Sequence, residues 1–346
     1  MTTAMVIFVV ALAFVGVGTP LVRGWAIKLG FVAAPRADRA HKEPTPLMGG
    51  VAIYGGAIVA LLAATWLVST FIGPVLRLPE LFGILASASL MAAIGLWDDR
   101  RRLDHKVKLL AQLAPVALVM WSGVRISLRV PPAVNVLLTA CWLLYITNAV
   151  NYLDNMDGIA AMLGAVSGAF FTLIAVLNGQ YLVSMLAAAL TGASLAFARY
   201  NLPLPQARIF MGDAGALFLG FMLAVLGIKL RVPGNTNLVT WMVPVFVLGL
   251  PIFDTALVFI SRRRRGVSFF KGGVDHTTHR LQRLGMDKLS VALAVGLVNC
   301  GLGILAAFIM QAQIGEAYAT AGMALALALY VLWRIEFRAD EQIRVG

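Results

Sequence analysis

Four polar side chains recur at intervals of three residues in the segment NAVNYLDNMDG. They are Asn148, Asn151, Asp154 and Asp157. On a helix or in a tight helical turn, this spacing places their oxygens along one side. Amide and carboxylate oxygens suit Mg²⁺, which usually keeps several waters and also binds substrate phosphates. The segment therefore predicts a site for a divalent cation and a phosphorylated substrate. The competing interpretation is structural, with Asp154 as a helix cap and Asp157-Gly158 as a turn.

A second polar cluster ends an apolar run in the segment GLWDDRRRLDHKVKLL, residues 95–110. Adjacent aspartates, Asp98 and Asp99, precede several basic residues, among them Lys108. The arginines alone are typical of a helix end whose basic side chains reach towards the membrane surface. Anchoring at the membrane surface does not explain two adjacent acids. Charged groups at membrane depth cost so much free energy that a functional role is the first hypothesis. We interpret Asp98 and Asp99 as candidate catalytic residues.

A third acidic position lies in RIFMGDAGALFLG, where Gly212 and Gly215 flank Asp213. Glycines let backbone N–H groups approach a ligand closely, and the start of the apolar helix that follows would favour a phosphate. A turn in which Asp213 caps this helix is the competing interpretation. Either way, the segment predicts a helix that begins at Asp213.

The most basic loop is SRRRRGVSFFKGGVDHTTHRLQRLG, residues 261–285. Four consecutive arginines after an apolar run are typical of cytoplasmic anchoring. The stretch DHTTHRL follows a pair of glycines, and its polar side chains could close over an anionic group. These side chains are Asp275, His276, His279 and Arg280. Zinc is the weaker alternative, because the histidines have no nearby cysteine and the acids elsewhere look like magnesium ligands.

Apolar residues make up 60% of the 346 residues and charged residues 13%, whereas soluble domains carry about 25% charged residues. Runs long enough to cross about 30 Å of hydrocarbon recur along the chain. They lie near 4–22, 47–71, 80–97, 109–123, 131–148, 158–177, 181–198, 214–230, 238–260, 289–312 and 317–334. The sequence therefore predicts an all-α, polytopic membrane protein of about eleven transmembrane helices. We expect one integral-membrane domain over residues 1–346, with catalytic loops in the cytoplasm.

The basic residues predict the orientation of these helices. Nearly all Lys and Arg fall in alternate loops, and the same loops hold the four histidines and every acid except Glu80 and Glu316. Because cytoplasmic loops are enriched in Lys and Arg, we expect the N-terminus outside and the C-terminus in the cytoplasm. The same rule accounts for the net charge of +12, so no nucleic-acid partner is expected. Cys141 and Cys300 fall within spans and predict neither a disulfide nor a metal site.

Five segments, taken in order, resemble the polyprenyl-phosphate N-acetylhexosamine-1-phosphate transferase family. They are DRAHKEPTPLMGG, DDRRRLDHKVK, NAVNYLDNMDGIAA, FMGDAGALFLG and GGVDHTTHRL, and the stretch from the first to the last covers most of the chain. The family includes bacterial undecaprenyl-phosphate GlcNAc-1-phosphate transferases, the translocase of peptidoglycan synthesis and the eukaryotic dolichyl-phosphate enzyme. Its reaction joins a lipid phosphate to the sugar phosphate of a UDP-sugar and releases UMP. The resemblance implies a Mg²⁺ cofactor, with Mn²⁺ as a substitute, and an active site on the cytoplasmic face of the plasma (inner) membrane.

The resemblance also implies roles for individual residues. The metal ligands correspond to Asn151 and Asp213. The catalytic positions correspond to Asp98, Asp99, Asp154, Asp157 and His279. The substrate-binding positions are expected at His41, Lys108, Asn148, Asn151, Arg264, Arg265, His276 and Arg280. Basic side chains are needed in this reaction because the metal ion and the protein must offset the repulsion between two anions.

The chain departs from the family pattern at Asn155, where a glycine is common, and at Ala216, where a serine is common. Because of Asn155, the backbone conformation of the acidic motif can differ from that of the family. DHTTHRL lacks the run of histidines of the peptidoglycan branch, which favours UDP-GlcNAc over UDP-MurNAc-pentapeptide as the donor. We expect undecaprenyl phosphate to attack directly, since a phosphate with a second pKa near about 6 is already largely ionised at neutral pH. A covalent intermediate on Asp98 or Asp99 is the alternative mechanism.

A membrane transporter or lipid flippase is the alternative from a different functional class. Such a protein should carry acids in the middle of its spans and polar residues at both membrane faces. Here the polar residues crowd one face, which favours the enzyme. A homodimer is compatible with the sequence, which leaves the oligomeric state open.

Overall fold

The computed structural model describes residues 2–33, 45–71, 78–269 and 273–338, so His41 lies outside the described residues. Within these ranges the chain forms fourteen α-helices, a two-stranded ladder and a short π-helix. In chain order they are α1 (Thr2–Lys28), β1 (Val32–Ala33), β2 (Thr45–Pro46), α2 (Gly49–Phe71), α3 (Leu78–Arg101), α4 (His105–Trp121), α5 (Pro132–Leu153), α6 (Ile159–Leu177), α7 (Tyr181–Asn201), α8 (Gly212–Lys229), α9 (Asn237–Thr240), α10 (Met242–Val247), α11 (Gly249–Arg264), α12 (Thr277–Arg283), α13 (Lys288–Gln311), α14 (Ile314–Trp333) and the π-helix (Arg334–Arg338). The two strands are antiparallel, with Val32 opposite Pro46.

The helices confirm the prediction of an all-α polytopic membrane protein. In the described part of the chain, nine helices are long and apolar enough to cross a membrane, and a bent pair makes up to ten. The bent pair joins Asn237–Val247 to Gly249–Arg264 at an angle of 72°. Helix α4 has 17 residues, which is the lower end of the length that spans about 30 Å of hydrocarbon. Each predicted span coincides with one helix, except 238–260, which covers α9, α10 and most of α11.

Helices α7 and α8 form the centre of the bundle. In each of them 83% of the membrane-spanning window is buried inside the protein, and the large side chains of Phe197, Phe218 and Phe221 are inaccessible. Small residues allow the backbones to approach closely, as is common between membrane helices. A Cβ on Gly50 would lie only 2.0 Å from the backbone nitrogen of Gly215. Helix α8 therefore packs against α2, α3 and α5, which brings polar ends of these helices together.

The bend between α10 and α11 is supported by buried polar groups. A break in a membrane helix releases backbone carbonyls, which need a hydrogen-bond partner when no water is near. The Ser167 hydroxyl donates to the carbonyl of Val247 at 3.1 Å. The Asn299 amide in turn donates to Ser167 at 2.9 Å. The bend sets the direction of α11, which carries Asp254 and the consecutive arginines towards the polar helix ends.

The predicted orientation can be tested with single cysteines in a background where Cys141 and Cys300 are replaced by serine. Gly234 and Ser268 are both exposed and lie on loops that we expect on opposite sides of the membrane. Gly234→Cys should react with an impermeant thiol reagent added to intact cells, whereas Ser268→Cys should react only after permeabilisation. Mass tagging followed by electrophoresis measures both reactions. The reverse pattern would place the polar helix ends outside the cell.

Candidate active site

Side chains from α3, α4, α5 and α8 meet around the ammonium group of Lys108. Its Nζ atom lies 2.8 Å from Asp98 Oδ2 and 3.0 Å from Asp213 Oδ2, and it donates to Asn151 Oδ1 at 3.0 Å. An ammonium group has three N–H donors, so these three oxygens match its full capacity. The Lys108 side chain is 14% exposed, and this partial exclusion of water strengthens the charge interactions. The structure thus brings together residues from three of the sequence segments.

Asn151 and Asp213 also contact each other directly. The Asn151 Nδ2 group donates to Asp213 Oδ1 at 2.6 Å. Asn151 Oδ1 and Asp213 Oδ2 both accept from the Lys108 ammonium. Oxygen atoms that converge on a positive charge form a donor set that suits Mg²⁺ or Mn²⁺. Among the described residues, no group of three His, Cys, Asp or Glu side chains could hold a metal ion. The fit to a divalent cation therefore depends on the Asn151 amide acting together with Asp213.

Asp99 has a different partner from its neighbour Asp98. Its two carboxylate oxygens accept hydrogen bonds from the backbone N–H groups of Asp213 and Ala214, at 2.8 and 3.1 Å. These N–H groups belong to the first turn of α8, where donors have no partner within the helix and a negative charge is favourable. Asp98 instead accepts from the backbone N–H of Leu103 at 2.7 Å while it pairs with Lys108. The adjacent acids thus divide between fixing α8 and holding the ammonium group.

The backbone at Gly212 explains why α8 can approach Asp99. Gly212 has φ of +72°, a conformation that glycine adopts without steric cost. A Cβ at this position would lie 2.5 Å from the carbonyl oxygen of Leu47 and 2.7 Å from Asp99 Oδ2. A larger residue would therefore push α8 away from α3 and move Asp213.

The acidic turn after α5 spreads its side chains over several partners. Asp154 is the C-cap residue of α5. Asp157 is buried and accepts from Lys288 Nζ at 2.8 Å, which ties the turn to the start of α13. The turn closes at Gly158, with φ of +84°, and its N–H donates to Asn201 Oδ1 at 2.9 Å. Of the four residues with regular spacing, Asn151 joins the Lys108 cluster, and Asp157 stabilises the turn through Lys288.

Asn148 lies one helical turn before Asn151 and pairs with Gln112 of α4. Its Nδ2 donates to Gln112 Oε1 at 2.7 Å, and Gln112 Nε2 donates back at 3.3 Å. Both amides are thus held in fixed orientations beside the Lys108 cluster. Gln112 itself is fully buried, so this pair anchors α4 to α5 one helical turn before the candidate metal ligand Asn151.

A cleft of about 1020 Å³ opens between α4, α5 and α11 beside the Lys108 cluster. Its walls are mostly apolar and include Leu144, Phe259 and Phe269, while Lys108 and Asn151 provide polar groups. Pockets of this kind, with apolar walls and a few converging polar groups, are typical of ligand sites. The cleft can therefore accept an amphipathic molecule whose charged end reaches the ammonium group.

The short helix α12 carries His279, has His276 as its N-cap residue and is tied to two other segments. Asp254 of α11 accepts from the backbone N–H of Thr277 at 2.7 Å and contacts His276 Nδ1 at the same distance. The buried Thr278 hydroxyl donates to Asn155 Oδ1 at 2.6 Å. Asn155, which departs from the family pattern, thus connects the acidic turn to α12. Asp254 thus holds the N-terminus of this helix.

His279 lies on α12 with its ring 6.4 Å from that of His276. Burial lowers the pKa of the His279 imidazole below its ordinary value, and electrostatic interactions with His276 and Arg283 act in the same direction. Contacts with Gln282 and Asp254 oppose this pKa shift and are outweighed. His279 is therefore neutral at pH 7 and can accept a hydrogen bond or a proton.

Comparisons with known proteins identify relatives over most of the chain. A sequence model described as glycosyl transferase family 4 matches residues 81–231, the region that supplies Asp98, Lys108, Asn151 and Asp213. A Bacillus subtilis protein named as a probable undecaprenyl-phosphate N-acetylglucosaminyl 1-phosphate transferase is 30% identical over 323 residues, which cover 91% of this chain and 87% of the relative. The chain belongs to the polyprenyl-phosphate N-acetylhexosamine-1-phosphate transferase family.

Other members of the family show similar likeness. A Mycolicibacterium smegmatis decaprenyl-phosphate N-acetylglucosaminephosphotransferase is 30% identical, with 90% of this chain and 84% of the relative covered. A Yersinia pestis undecaprenyl-phosphate alpha-N-acetylglucosaminyl 1-phosphate transferase is 26% identical, with 88% and 82% covered. The likeness therefore extends over nearly the whole transmembrane bundle.

The arginines to which the family resemblance gave substrate-binding roles lie in ion pairs with carboxylates of the chain. Arg265 is 2.5 Å from Asp275 Oδ1. Arg264 and Arg280 both contact Glu336, at 2.8 and 2.5 Å. Burial raises the pKa of Asp275, but hydrogen bonds from Arg265 and Arg262 outweigh it and hold that pKa below its usual value. These arginines thus order the last loop, and their contact with substrate stays a prediction.

Sequence analysis missed three residues that the structure places around the site of this family member. Gln112 pairs with Asn148, Lys288 pairs with Asp157, and Asn201 binds Gly158. Gln112 follows Lys108 by four residues and so shares its helix face, a signal that was present in the sequence. Lys288 and Asn201 are far from their partners in the chain, and no local pattern indicates them.

The capping role of Asp99 predicts a measurable loss of stability. Asp99→Asn keeps the size of the side chain but turns one acceptor oxygen into an NH₂ group that faces a backbone N–H of α8. We expect the free energy of unfolding to fall by about 1–2 kcal/mol, visible as a lower unfolding temperature in detergent. Asp287→Asn is the matched control, because exposed Asp287 caps α13 and asparagine caps equally well. Equal losses in both variants would contradict the role of Asp99.

Proposed function

We propose that the protein transfers N-acetylglucosamine-1-phosphate from UDP-GlcNAc to undecaprenyl phosphate, giving undecaprenyl-diphospho-GlcNAc and UMP. The observation that carries this proposal is the Lys108 ammonium, with its converging acids and amide, beside a cleft with mostly apolar walls. A lipid phosphate needs such a combination, because its chain is apolar and its head group is an anion. The relatives' names support the same acceptor class and the same sugar. We place the site on the cytoplasmic face of the plasma (inner) membrane, as the basic loops indicate.

The cleft suggests how the lipid acceptor is bound. Its open side lies among α4, α5 and α11, where Leu109, Leu144 and Phe259 provide apolar contacts. A polyprenyl chain on these side chains would direct its phosphate towards Lys108. The donor's diphosphate would then approach from the side of α8 and α12, so that both anions meet near the ammonium group and the candidate metal ligands. Lys108 offsets part of their repulsion, as basic groups do in other phosphoryl-transfer sites.

Asn151 and Asp213 are the residues that would hold a Mg²⁺ ion. The bound ion would neutralise charge on the donor's diphosphate and on the departing UMP. Asp98 keeps the Lys108 ammonium directed towards Asn151 and Asp213. Asp99 keeps the start of α8 in place, so that Asp213 does not move. These residues therefore provide positioning and charge stabilisation, which account for most of the rate in phosphoryl transfer.

In the proposed reaction, an oxygen of the lipid phosphate attacks the phosphorus that carries the sugar. A new P–O bond forms, the bond to the UMP oxygen breaks, and UMP leaves with the electron pair. The lipid phosphate is largely ionised at neutral pH, so the step needs no strong base. His279, neutral at pH 7 because burial lowers its pKa, can accept a hydrogen bond from the donor. Neither Asp98 nor Asp99 needs to form a covalent bond.

The first test is the reaction itself, with purified protein, undecaprenyl phosphate and a panel of UDP-sugars that includes UDP-MurNAc-pentapeptide. We expect mass spectrometry to detect the diphospho-GlcNAc lipid and UMP with UDP-GlcNAc. Excess chelator should abolish turnover, and Mg²⁺ or Mn²⁺ should restore it. Asp213→Asn should lower turnover roughly hundredfold or more and remove the thermal stabilisation that Mg²⁺ produces, whereas Asp287→Asn should change neither. Full activity in excess chelator would refute the metal assignment.

A second test separates direct attack from a covalent aspartyl intermediate. An adduct on Asp98 or Asp99 would let lipid-free enzyme exchange labelled UMP into UDP-GlcNAc, because the first half-reaction would be reversible alone. Direct attack predicts no exchange until lipid phosphate is added. Since co-purified lipid would mimic a positive result, organic extraction of the sample must confirm that lipid is absent. Sustained exchange after this control would show that the mechanism is wrong even if the overall reaction is right.

A further inference from the structure

The C-terminal end of the last membrane helix contains a buried carboxylate, Glu336. It lies in the π-helix that follows α14 and is only 2% exposed. Its Oε1 accepts from Arg264 Nε at 2.9 Å, and its Oε2 accepts from Arg280 Nη2 at 2.5 Å. A buried charge is very costly unless it is paired and hydrogen-bonded. The position of Glu336 is therefore coupled to the positions of both arginines.

Arg280 is bound on several sides at once. Besides Glu336, its guanidinium group donates to the carbonyl of Asp275 at 2.9 Å, to the carbonyl of Ile335 at 3.0 Å and to the Ser261 hydroxyl at 2.9 Å. A guanidinium group has five N–H donors, and these contacts use four of them. Arg280 thus connects α11, α12 and the end of α14, and it has little capacity left for a substrate phosphate.

Helix α14 has few other attachments to the protein. Only 6% of its membrane-spanning window is buried inside the described structure, against 83% for α8. At its other end, Gln313 and Glu316 form a capping box within the helix itself. The contacts of Arg264 and Arg280 are therefore a main link between this lipid-facing helix and the rest of the molecule. The Arg264 guanidinium also stacks over the Phe337 ring at 4.7 Å.

The other partners of α12 show what this link holds in place. Asp254 binds the N-terminus of α12, and Asn155 binds Thr278. Arg280, one residue after His279, ties the next turn to Glu336. We propose that Glu336 is a positioning residue, through which the C-terminal helix fixes α12 and hence His279 at the active site. The part of this inference that concerns His279 rests on the proposed function.

The experiment compares Glu336→Gln with Glu336→Asp and with Glu316→Gln, a matched control at the other end of the same helix. Glu336→Gln keeps the shape and removes the charge. We expect kcat to fall roughly tenfold or more, because misplaced catalytic groups slow the chemical step, while KM for UDP-GlcNAc stays within about threefold. Glu336→Asp keeps the charge and should restore most of kcat, and Glu316→Gln should match the wild type.

Hydrogen–deuterium exchange of peptides covering 273–286 gives a readout that does not depend on turnover. Exchange in α12 should be faster in Glu336→Gln and unchanged in Glu316→Gln, since local opening follows the loss of its anchoring contacts. If Glu336→Gln does not fold, Arg280→Lys tests the same link, because lysine keeps the charge but lacks the forked donors. Unchanged exchange in α12, or wild-type kcat in Glu336→Gln, would overturn the proposal. Wild-type protein that cannot use UDP-GlcNAc would refute the proposed function alone, and the exchange result would still decide the role of Glu336.

Discussion

The ammonium group of Lys108 holds together side chains from three helices that are far apart in the sequence. Two carboxylates, Asp98 and Asp213, contact this one cation, so the cluster carries an excess of negative charge. The negative charge of Asp99 is stabilised by the start of α8, where the helix dipole is favourable. The remaining excess disfavours an isolated cluster and favours an added divalent cation. A donor's diphosphate alone would be repelled, whereas a diphosphate that arrives with its cation would not.

This arrangement depends on helix ends. Polar groups within the hydrocarbon region must find partners inside the protein, and the last turns of α3 and α5 meet the first turns of α4 and α8 where such partners are available. The Asp99 cap on α8 and the glycine contact between α2 and α8 fix the positions of α2, α3 and α8 relative to one another. The acids can therefore lie beside an apolar cleft, held in place by contacts between the helices themselves.

Sequence analysis predicted the spans, which the helices confirm, because apolar length is a local property. It also named Asp98, Lys108, Asn151 and Asp213, whose side chains meet in the structure. The catalytic and metal-binding roles of these residues stay predictions. Sequence analysis could not predict which charge pairs with which, since Asp157 meets Lys288 and Arg280 meets Glu336 only through the packing of distant helices. The regular spacing of the acidic motif suggested one shared ligand set. The helix ends at Leu153, and beyond it the chain turns Asp157 towards α13.

The pairing of the arginines changes how the charge of the last loop is understood. Arg264, Arg265 and Arg280 each face a carboxylate of the chain, and a paired guanidinium attracts a phosphate less strongly than a free one. His279 adds little positive charge at neutral pH, because burial lowers its pKa. The Lys108 ammonium is also fully paired, with Asp98, Asp213 and Asn151. The attraction for two anionic substrates must then come mainly from the cation that the acids favour. On this argument the basic loop serves chiefly to order α12 and to set the orientation of the chain in the membrane, and substrate charge is neutralised at the junction of α3, α5 and α8.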